Sequence, residues 1–529
     1  MTIKEKQNKK NAINELLGGK INSRAELMAV KRKLAKKYGR SILSHSEILK
    51  EYKNGTTKRR PDLERILRKR SVRTMSGIAP VAVLTKPYPC PGKCAYCPTE
   101  KDVPQSYLSN EPAVMRAIRC NYDPYKQVQL RLRALEANGH EPTKIELIVI
   151  GGTWSALPEN YKYWYITQCF KAANNFEKEK NKKIKVEKLN SKVKIEILKK
   201  LLFSEQKKNE SAKYKIIGIT LETRPDYINN KELLEMRELG ATRVELGVQA
   251  IDDKILKLNK RGHGVAEIAK ATEILKNYGF KVTYHIMPGL PGATAKKDLA
   301  MFKKLFSDEK FQPDQLKFYP TVVTRGSLLY KWWRDGKYKP YSDKVLQNLI
   351  VECKKIVPPY VRIIRLIRDI PGESIIAGNM ITNLRQVMKD RGVKCKCIRC
   401  REAGEKKFKV ESLKLKVIKY KASKGVEYFF QAVDKKEDTL YGFCRLRLGK
   451  KNKAAMIREL HVYGELVSIG RNKKIQHAGL GKMLMQEAEK IAKQKKYKKI
   501  SVIAGVGVRG YYRKLGYKLE NSYMVKSLI

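Results

Sequence analysis

The string YPCPGKCAYCP holds Cys90, Cys94 and Cys97 at Cys-x3-Cys-x2-Cys spacing, in a loop with glycine and proline. Three thiolates this close can converge on one metal centre. A structural zinc wants four ligands, and the loop offers no fourth. Three thiolates on a four-iron cluster leave one iron open to a substrate or cofactor. A zinc knuckle is the competing reading. A second group, Cys395, Cys397 and Cys400 in KCKCIRCRE, has Cys-x-Cys-x2-Cys spacing in a basic context. It suits a structural zinc whose fourth ligand is Cys353, a histidine or water, with inert buried thiols as the alternative. The turn IQHAGLGK carries Gln476, Gly479, Leu480 and Gly481 as Gln-x-x-Gly-x-Gly and opens the helical pattern MLMQEAEKIAKQKK. Bare glycine backbone at a helix start binds pyrophosphate through free N–H groups and the positive end of the dipole.

Further polar groups recur at the carboxyl ends of apolar strings. IGGTWSALP presents Gly151 and Gly152; LETRPD and VELGVQ present Glu222, Arg224, Glu245 and Gln249; HIMPGLPG is a tight turn. The strings that must position them are VAVL from Val81, KIELIVIGG from Lys144, KIIGITLET from Lys215, TRVELGVQ from Thr242, KVTYHIMPG from Lys281 and QLKFYPTVV from Gln315. Helical patterns such as NKELLEMRELG and GVAEIAKATEILKNYG separate them. Near-continuous apolar strands alternating with helices predict a parallel α/β sheet, open or closed into a barrel. From about residue 410 a second α/β unit follows: strands YFFQAV, TLYGFCRLRL and MIRELHVYG, the glycine turn, a helix, a strand and a last helix.

Charge narrows the partners. The chain has 529 residues with 113 Lys plus Arg against 53 Asp plus Glu, a net charge of +60. A surplus that size needs a polyanion, and nucleic acid fits better than membrane because no amphipathic anchor accompanies it. Residues 1–80 carry 22 basic and 7 acidic side chains, and KRKLAKKYGR and KRRPDLERILRKR place Lys and Arg around whole helical turns. In VPPYVRIIRLIRDIPG, Arg362, Arg365 and Arg368 stand three residues apart. The Lys-, Glu- and Asn-rich segment 171–213 reads as a surface insertion. No apolar run approaches the ~18 residues of a transmembrane helix. Ten cysteines, six of them in two clusters, are too few for a disulfide scaffold. The expectation is a cytoplasmic protein with no membrane contact.

The first cysteine spacing, placed after the first strand of a repeated strand–helix fold, resembles the radical S-adenosylmethionine (SAM) superfamily. IGGTWSALP is similar to that superfamily's glycine-rich second-strand motif. The C-terminal order of strand, glycine turn, helix, strand and YYRKLGY resembles the Gcn5-related N-acetyltransferase fold, which binds acetyl-CoA. With KIELIVIGGT, LKFYPTVV, CIRCRE, RELHVYG and YYRKLGYKLENSYMVK also present, nearly the whole chain resembles the catalytic subunit family of Elongator in its single-chain archaeal or bacterial form. Eukaryotic members have a longer gap in the first cysteine cluster; the three-residue gap here is the usual superfamily spacing.

The resemblance implies a partial (β/α) radical SAM barrel fused to a Gcn5-related N-acetyltransferase domain, behind a basic helical N-terminal region. The implied units are 1–75 for tRNA binding, 76–345 for the radical SAM domain, 346–409 as a basic linker with the zinc-type cluster, and 410–529 for the acetyltransferase. Cys90, Cys94 and Cys97 hold a 4Fe–4S cluster, and the strand-end residues from Gly151 to Gln249 surround SAM. Acetyl-CoA lies along Glu459, Leu460, His461 and Val462, over the glycine turn, with Lys144 reaching it from the barrel. Tyr512 matches the family tyrosine near the CoA sulfur, and Tyr511 reads chiefly as a packed aromatic beside it. Lys317 is a candidate for SAM or substrate contact. The implied reaction converts the tRNA wobble uridine to 5-carboxymethyluridine through a 5′-deoxyadenosyl radical. The anticodon stem-loop is the implied partner and the three arginines contact phosphates. A homodimer is left open, and a single-chain enzyme needs no partner subunits. The alternatives are a protein lysine acetyltransferase with a structural iron–sulfur half, and a noncatalytic RNA-binding scaffold.

Overall fold

The apolar strings that line up the candidate residues form one sheet in chain order. In the computed structural model, which describes residues 2–55, 60–69, 74, 76–180, 182, 184, 193–381, 383–404, 412–436, 438–449, 454–464 and 479–529, its strands are β1 (Ala79–Leu84), β2 (Lys144–Ile150), β3 (Lys215–Thr223), β4 (Arg243–Gln249), β5 (Lys281–Ile286), β6 (Gln315–Phe318) and β8 (Arg362–Arg365). Two short strands, β7 (Val323–Thr324) and β9 (Ile375–Ala377), pair apart as an antiparallel ribbon. Every neighbouring pair in the large sheet is parallel. Among the described residues β1 and β8 are its open edges, so it is a half-barrel. Crossover helices such as Glu159–Glu179, Ile195–Ser211, Val265–Asn277 and Ala295–Ser307 cover its outside and bury Phe170, Phe176, Leu198, Leu202, Leu275 and Phe302.

Three expectations change here. Segment 171–213 is no mere surface insertion: its described parts include the end of Glu159–Glu179 and the helix Ile195–Ser211, both amphipathic walls of the half-barrel. Segment 346–409 is no simple linker, because β8 is the seventh strand of the sheet and Asp343–Ile356 packs on Ala295–Ser307. The string from Gln315 to Val323 breaks into β6 and β7. At the N-terminus the helices Ile3–Gly18, Arg24–Lys37, His45–Gly55 and Pro61–Leu67 enclose a core of Leu16, Leu27, Leu34, Ile48 and Leu63, leaving most of their lysines outside.

The C-terminal sheet begins as an antiparallel meander of β10 (Leu413–Ala422), β11 (Gly425–Asp434), β12 (Leu440–Gly449) and β13 (Ala455–Val462). The helix Leu480–Gln494 then crosses to β14 (Lys499–Val502), which lies parallel to β13, and β15 (Lys518–Glu520) and β16 (Tyr523–Ser527) complete the edge. The β13–β14 ladder covers only Ala455–Ile457, so among the described residues the two strands part beyond it at Glu459. A bulge opposite Arg445 and Leu446 leaves Arg458 as the extra residue of β13 and turns it toward the half-barrel.

That turn builds an internal charge cluster. Asp314, just before β6, accepts from both terminal nitrogens of Arg458 at 3.0 and 2.5 Å and from the Val282 N–H at 2.8 Å. Arg458 also bonds both oxygens of Glu427 at 2.9 Å, and Arg445, Arg447 and Lys276 close around the two carboxylates. All six side chains are buried. Burial alone would raise the Asp314 carboxyl, but Arg458, Lys276 and Arg445 outweigh it and hold the acid ionised. Removing one partner of a buried, hydrogen-bonded pair leaves an uncompensated charge. Asp314→Ala is therefore expected to lower stability by about 3–5 kcal/mol, measured by chemical denaturation. Asp369→Ala, which frees only the half-exposed Arg365, should cost less than about 1 kcal/mol.

Candidate active site

The loop after β1 brings Cys94 and Cys97 together at the carboxyl end of the half-barrel. The Cys97 contact first, and then the Arg261 guanidinium, bring the Cys94 thiol down to about 5 against the opposing effect of burial. Cys97, its proton partner, is pushed up by the same contact. Cys90 stands further off with its sulfur 3.7 Å from Thr153 Oγ1, so the three sulfurs are not all within the 4.8 Å that the second cluster meets. Gly92, between Cys90 and Cys94, lies close under Arg224: a Cβ there would be 2.5 Å from its Nη1, so the guanidinium would have to shift. Gly151 has φ +132° and backs onto Thr85, whereas a Cβ on Gly152 would meet nothing within 4 Å. Buried atoms around this mouth with no hydrogen-bond partner include Arg224 Nη1, Gln249 Oε1 and His263 Nδ1. Thiolates in one loop, open glycine backbone and unsatisfied polar atoms fit an iron–sulfur cluster with a polar ligand beside it.

Other strand-end residues are placed differently from expectation. Glu245 lies mid-strand, not at the mouth: its Oε2 takes Lys317 and His285, the latter at 2.8 Å, while its Oε1 is buried with no hydrogen-bond partner. Burial would raise its carboxyl, but Lys317 and His285 hold it low and ionised. Lys317 is correspondingly committed to Glu245. Glu222 is nearer the mouth, accepting from Tyr107 Oη at 3.0 Å and facing His285 Nδ1 at 3.4 Å. Arg224 bonds Asp226 at 3.0 and 2.8 Å and the Arg261 carbonyl at 2.7 Å. Sequence reasoning passed over Arg261, His263, His285 and Tyr107. RGHG and HIM signal only turns, and only folding brings them to the cysteines and glutamates.

Strand β13 and the residue after it seal the opposite end. Glu459 pairs with Arg445 at 2.9 Å and with Lys281, the first residue of β5, at 3.4 Å. His461 Nε2 meets the Ser76 carbonyl at 2.8 Å just ahead of β1, and Tyr463 Oη accepts from Arg362, first in β8, at 2.9 Å. Leu460 and Val462 lie between them on β13. Lys144 opens β2 at this same end, and burial lowers its ammonium to about 8. Here the loop Val506–Val508 docks so tightly on β3 that a Cβ on Gly507 would lie 2.6 Å from Lys215 Cβ. Lys144 is thus at the end where β13 crosses, a strand length from the cysteines.

Gly479, at φ +80°, caps the helix whose first residues are Leu480 and Gly481; Gln476 lies outside the described residues. A Cβ on Gly481 would come 2.7 Å from Tyr511 Oη. Tyr511 is 37% exposed and Tyr512 only 6%, within the domain core. Tyr511, read as the packed aromatic, is thus the more exposed of the two rings. Burial pushes Tyr511 up to about 12 and Tyr512 further, so both keep their protons at neutral pH.

The second cysteine group is assembled: Cys395, Cys397 and Cys400 sulfurs lie within 4.8 Å of one another, and Cys353 is not among them. Of the three arginines, Arg362 is engaged by Glu402 at 2.8 Å and Tyr463, and Arg368 by Glu111 at 3.2 Å and Ser106. Only Arg365, 43% exposed, faces outward. A three-residue spacing shares one face on a helix, but Arg362 and Arg365 sit on a strand, where it alternates.

Gly481→Glu should place a side chain and a negative charge against Tyr511 and abolish CoA binding, read by calorimetry. If Tyr511 Oη donates to CoA at this turn, Tyr511→Phe should weaken binding roughly fivefold, the equivalent of one lost hydrogen bond of about 1 kcal/mol.

The radical SAM superfamily profile matches residues 88–305, the radical SAM C-terminal domain residues 313–392, and the acetyltransferase (GNAT) family residues 400–517. The tRNA uridine(34) acetyltransferase of Dehalococcoides mccartyi is 44% identical, covering 87% of this chain and all of the relative. Human Elongator complex protein 3 is 37% identical over 95% of this chain and 93% of its own. A solved archaeal Elp3 from Methanocaldococcus infernus, lacking residues 1–46, superposes with a TM-score of 0.71 at 40% identity, over 86% of this chain and all of that one. Family matches in succession along the chain, and relatives that match along nearly their whole length, lead to one conclusion: the chain belongs to the family of the tRNA uridine(34) acetyltransferases and Elongator complex protein 3.

Proposed function

We propose that the chain converts the wobble uridine of tRNA to 5-carboxymethyluridine with SAM and acetyl-CoA. The observation that carries this reading is the seating of β13 across one end of the half-barrel whose other end holds the cysteine loop. A protein acetyltransferase has no use for that arrangement. In the proposed scheme Cys90, Cys94 and Cys97 hold a 4Fe–4S cluster, which with SAM supplies a carbon-centred radical. Gly151 and Gly152 let the SAM amino group approach, and Glu222, Arg224 and Gln249 recognise its polar parts. Glu245 and Lys317 fix one another and His285 rather than touching SAM. The backbone of Glu459, Leu460, His461 and Val462 orients the acetyl carbonyl, with Lys144 at its side. Gln476, Gly479, Leu480 and Gly481 bind the pyrophosphate, Tyr511 steadies it, and Tyr512 gives its proton to the departing CoA thiolate. Cys395, Cys397 and Cys400 hold a structural zinc.

The substrate is an anticodon stem-loop, whose unpaired bases are extruded at a cost of only a few kcal/mol. Residues 1–75 and Arg365 supply phosphate contacts, and a cytoplasmic setting and a homodimer are compatible with the scheme. Among the described residues no helix is long and apolar enough to cross a membrane.

Anaerobic reaction with tRNA, SAM and acetyl-CoA should yield 5-carboxymethyluridine by nucleoside mass spectrometry. Cys90→Ala, Cys94→Ala or Cys97→Ala should abolish both bound iron and product. Acetylated peptide without modified tRNA would refute the scheme. Tyr512→Phe should slow turnover by about 10²-fold with CoA affinity little changed. Arg365→Ala should lower the log–log salt slope of tRNA binding by roughly 0.7–0.9, and Arg362→Ala should leave that slope unaltered.

A further inference from the structure

A buried guanidinium without a carboxylate partner stands directly behind the cysteine loop. Arg261 is 5% exposed. Its Nη1 donates to Cys94 Sγ at 3.0 Å, and its Nη2 reaches the Gly247 carbonyl and His263 Nε2, the latter at 2.9 Å. Its Nε has no partner. Its own carbonyl accepts from Arg224 Nη2 at 2.7 Å, which brings a second guanidinium to the same wall. Arg224 has Asp226 as its counter-charge at 2.8 Å, but among the described residues no carboxylate lies within ion-pair distance of Arg261. An arginine is always charged, and leaving it buried and unpaired is strongly unfavourable. The geometry leaves the sulfur as the anion it faces.

We propose that Arg261 is a positioning residue that raises the reduction potential of the 4Fe–4S cluster through its hydrogen bond to the Cys94 sulfur. The inference rests on the reading of Cys94 as a cluster ligand. One-electron reduction takes the cluster from the 2+ to the 1+ state, with the electron coming from a low-potential donor and no atoms transferred. The reduced site carries one more negative charge. A fixed positive charge in a poorly screened interior, donating N–H to a ligating sulfur, stabilises that state more than the oxidised one. Gly247 has a part in this placement. A Cβ there would lie 3.1 Å from Arg261 Nη2, so a larger residue would push the guanidinium off its line to the sulfur.

The test is an EPR-monitored redox titration of the anaerobically reconstituted full-length protein, without SAM, using dithionite as reductant. R261Q should retain about four irons per chain. At the wild-type midpoint its ratio of reduced to oxidised cluster should fall at least tenfold, a drop of about 59 mV for one electron. R261K, which keeps the charge but loses the planar fork, should fall between the two. An R261Q midpoint equal to wild type with iron intact would overturn the proposal, as would a loss of thermal stability with no change in potential. So would weakened SAM binding at an unchanged midpoint, which would make Arg261 a substrate contact. If R261Q loses its iron, wild-type protein labelled with guanidino-15N arginine decides the matter. The reduced cluster should show a 15N hyperfine coupling that R261K removes, and its absence overturns the proposal. Failure of the wild-type protein itself to take up iron would instead strike the ligand reading, and iron analysis tells the two apart.

Discussion

Asp314 is a carboxylate with no access to water, and the relation between the two halves of the molecule hangs on it. Its two oxygens take both terminal nitrogens of Arg458, and that arginine reaches it only because β13 bulges there. Charged groups this deep are costly to desolvate, and well-packed apolar residues often serve stability equally well. What the cluster adds is direction. An apolar interface tolerates sliding, whereas a bidentate guanidinium–carboxylate pair accepts one geometry. Once Arg458 is fixed, the next residues of β13 fall in order on Lys281, Ser76 and Arg362 at the amino ends of β5, β1 and β8.

Charge does two separate things in this chain. Inside, four cations (Lys276, Arg445, Arg447 and Arg458) meet Asp314, Glu427 and Glu459 at short range and in low dielectric. Outside, the surplus of a +60 chain includes the lysines of the N-terminal helices, most of which are exposed. The first set is insensitive to salt and fixes structure; the second is screened within about 10 Å at 0.1 M salt and suits a polyanion. Arg362 and Arg368 show that a basic motif alone does not tell which set a residue joins.

The parallel strands, the second cysteine group and the helix start at Gly479–Gly481 were legible in the sequence because each depends on local pattern or spacing. Cys395, Cys397 and Cys400 fold together within six residues and need no tertiary information. The wall helix Ile195–Ser211 was obscured because its exposed face is so rich in Lys and Glu that the stripe carrying Leu198 and Leu202 was lost in it. Glu245 read as a strand-end ligand although the string TRVELGVQ ends at Gln249, as β4 does; the four positions from Glu245 to Gln249 separate an interior from a mouth. Tyr511 and Tyr512 are neighbours on a short helix, about 100° apart, and no motif says which of two adjacent rings faces the core. Arg261 was invisible for the plainest reason: its partner Cys94 is 167 residues away.

The arrangement also limits how two cofactors can act together. The cysteine loop leaves the carboxyl end of β1, and the Glu459–Tyr463 segment crosses the amino ends of the same strands. Six or seven residues at about 3.3 Å each put those ends on the order of 20 Å apart. The interior between them is occupied by Glu245, His285 and Lys317, joined through the Oε2 of Glu245. A flexible linker would let that separation vary, but the Asp314 cluster and the Gly507 contact on β3 hold it constant. Under the proposed reading, domain closure is therefore the wrong place to look for the missing distance. The mobile parts are the ligands themselves, above all the long pantetheine arm of CoA, and the protein's contribution is to keep both ends still while that arm spans the half-barrel.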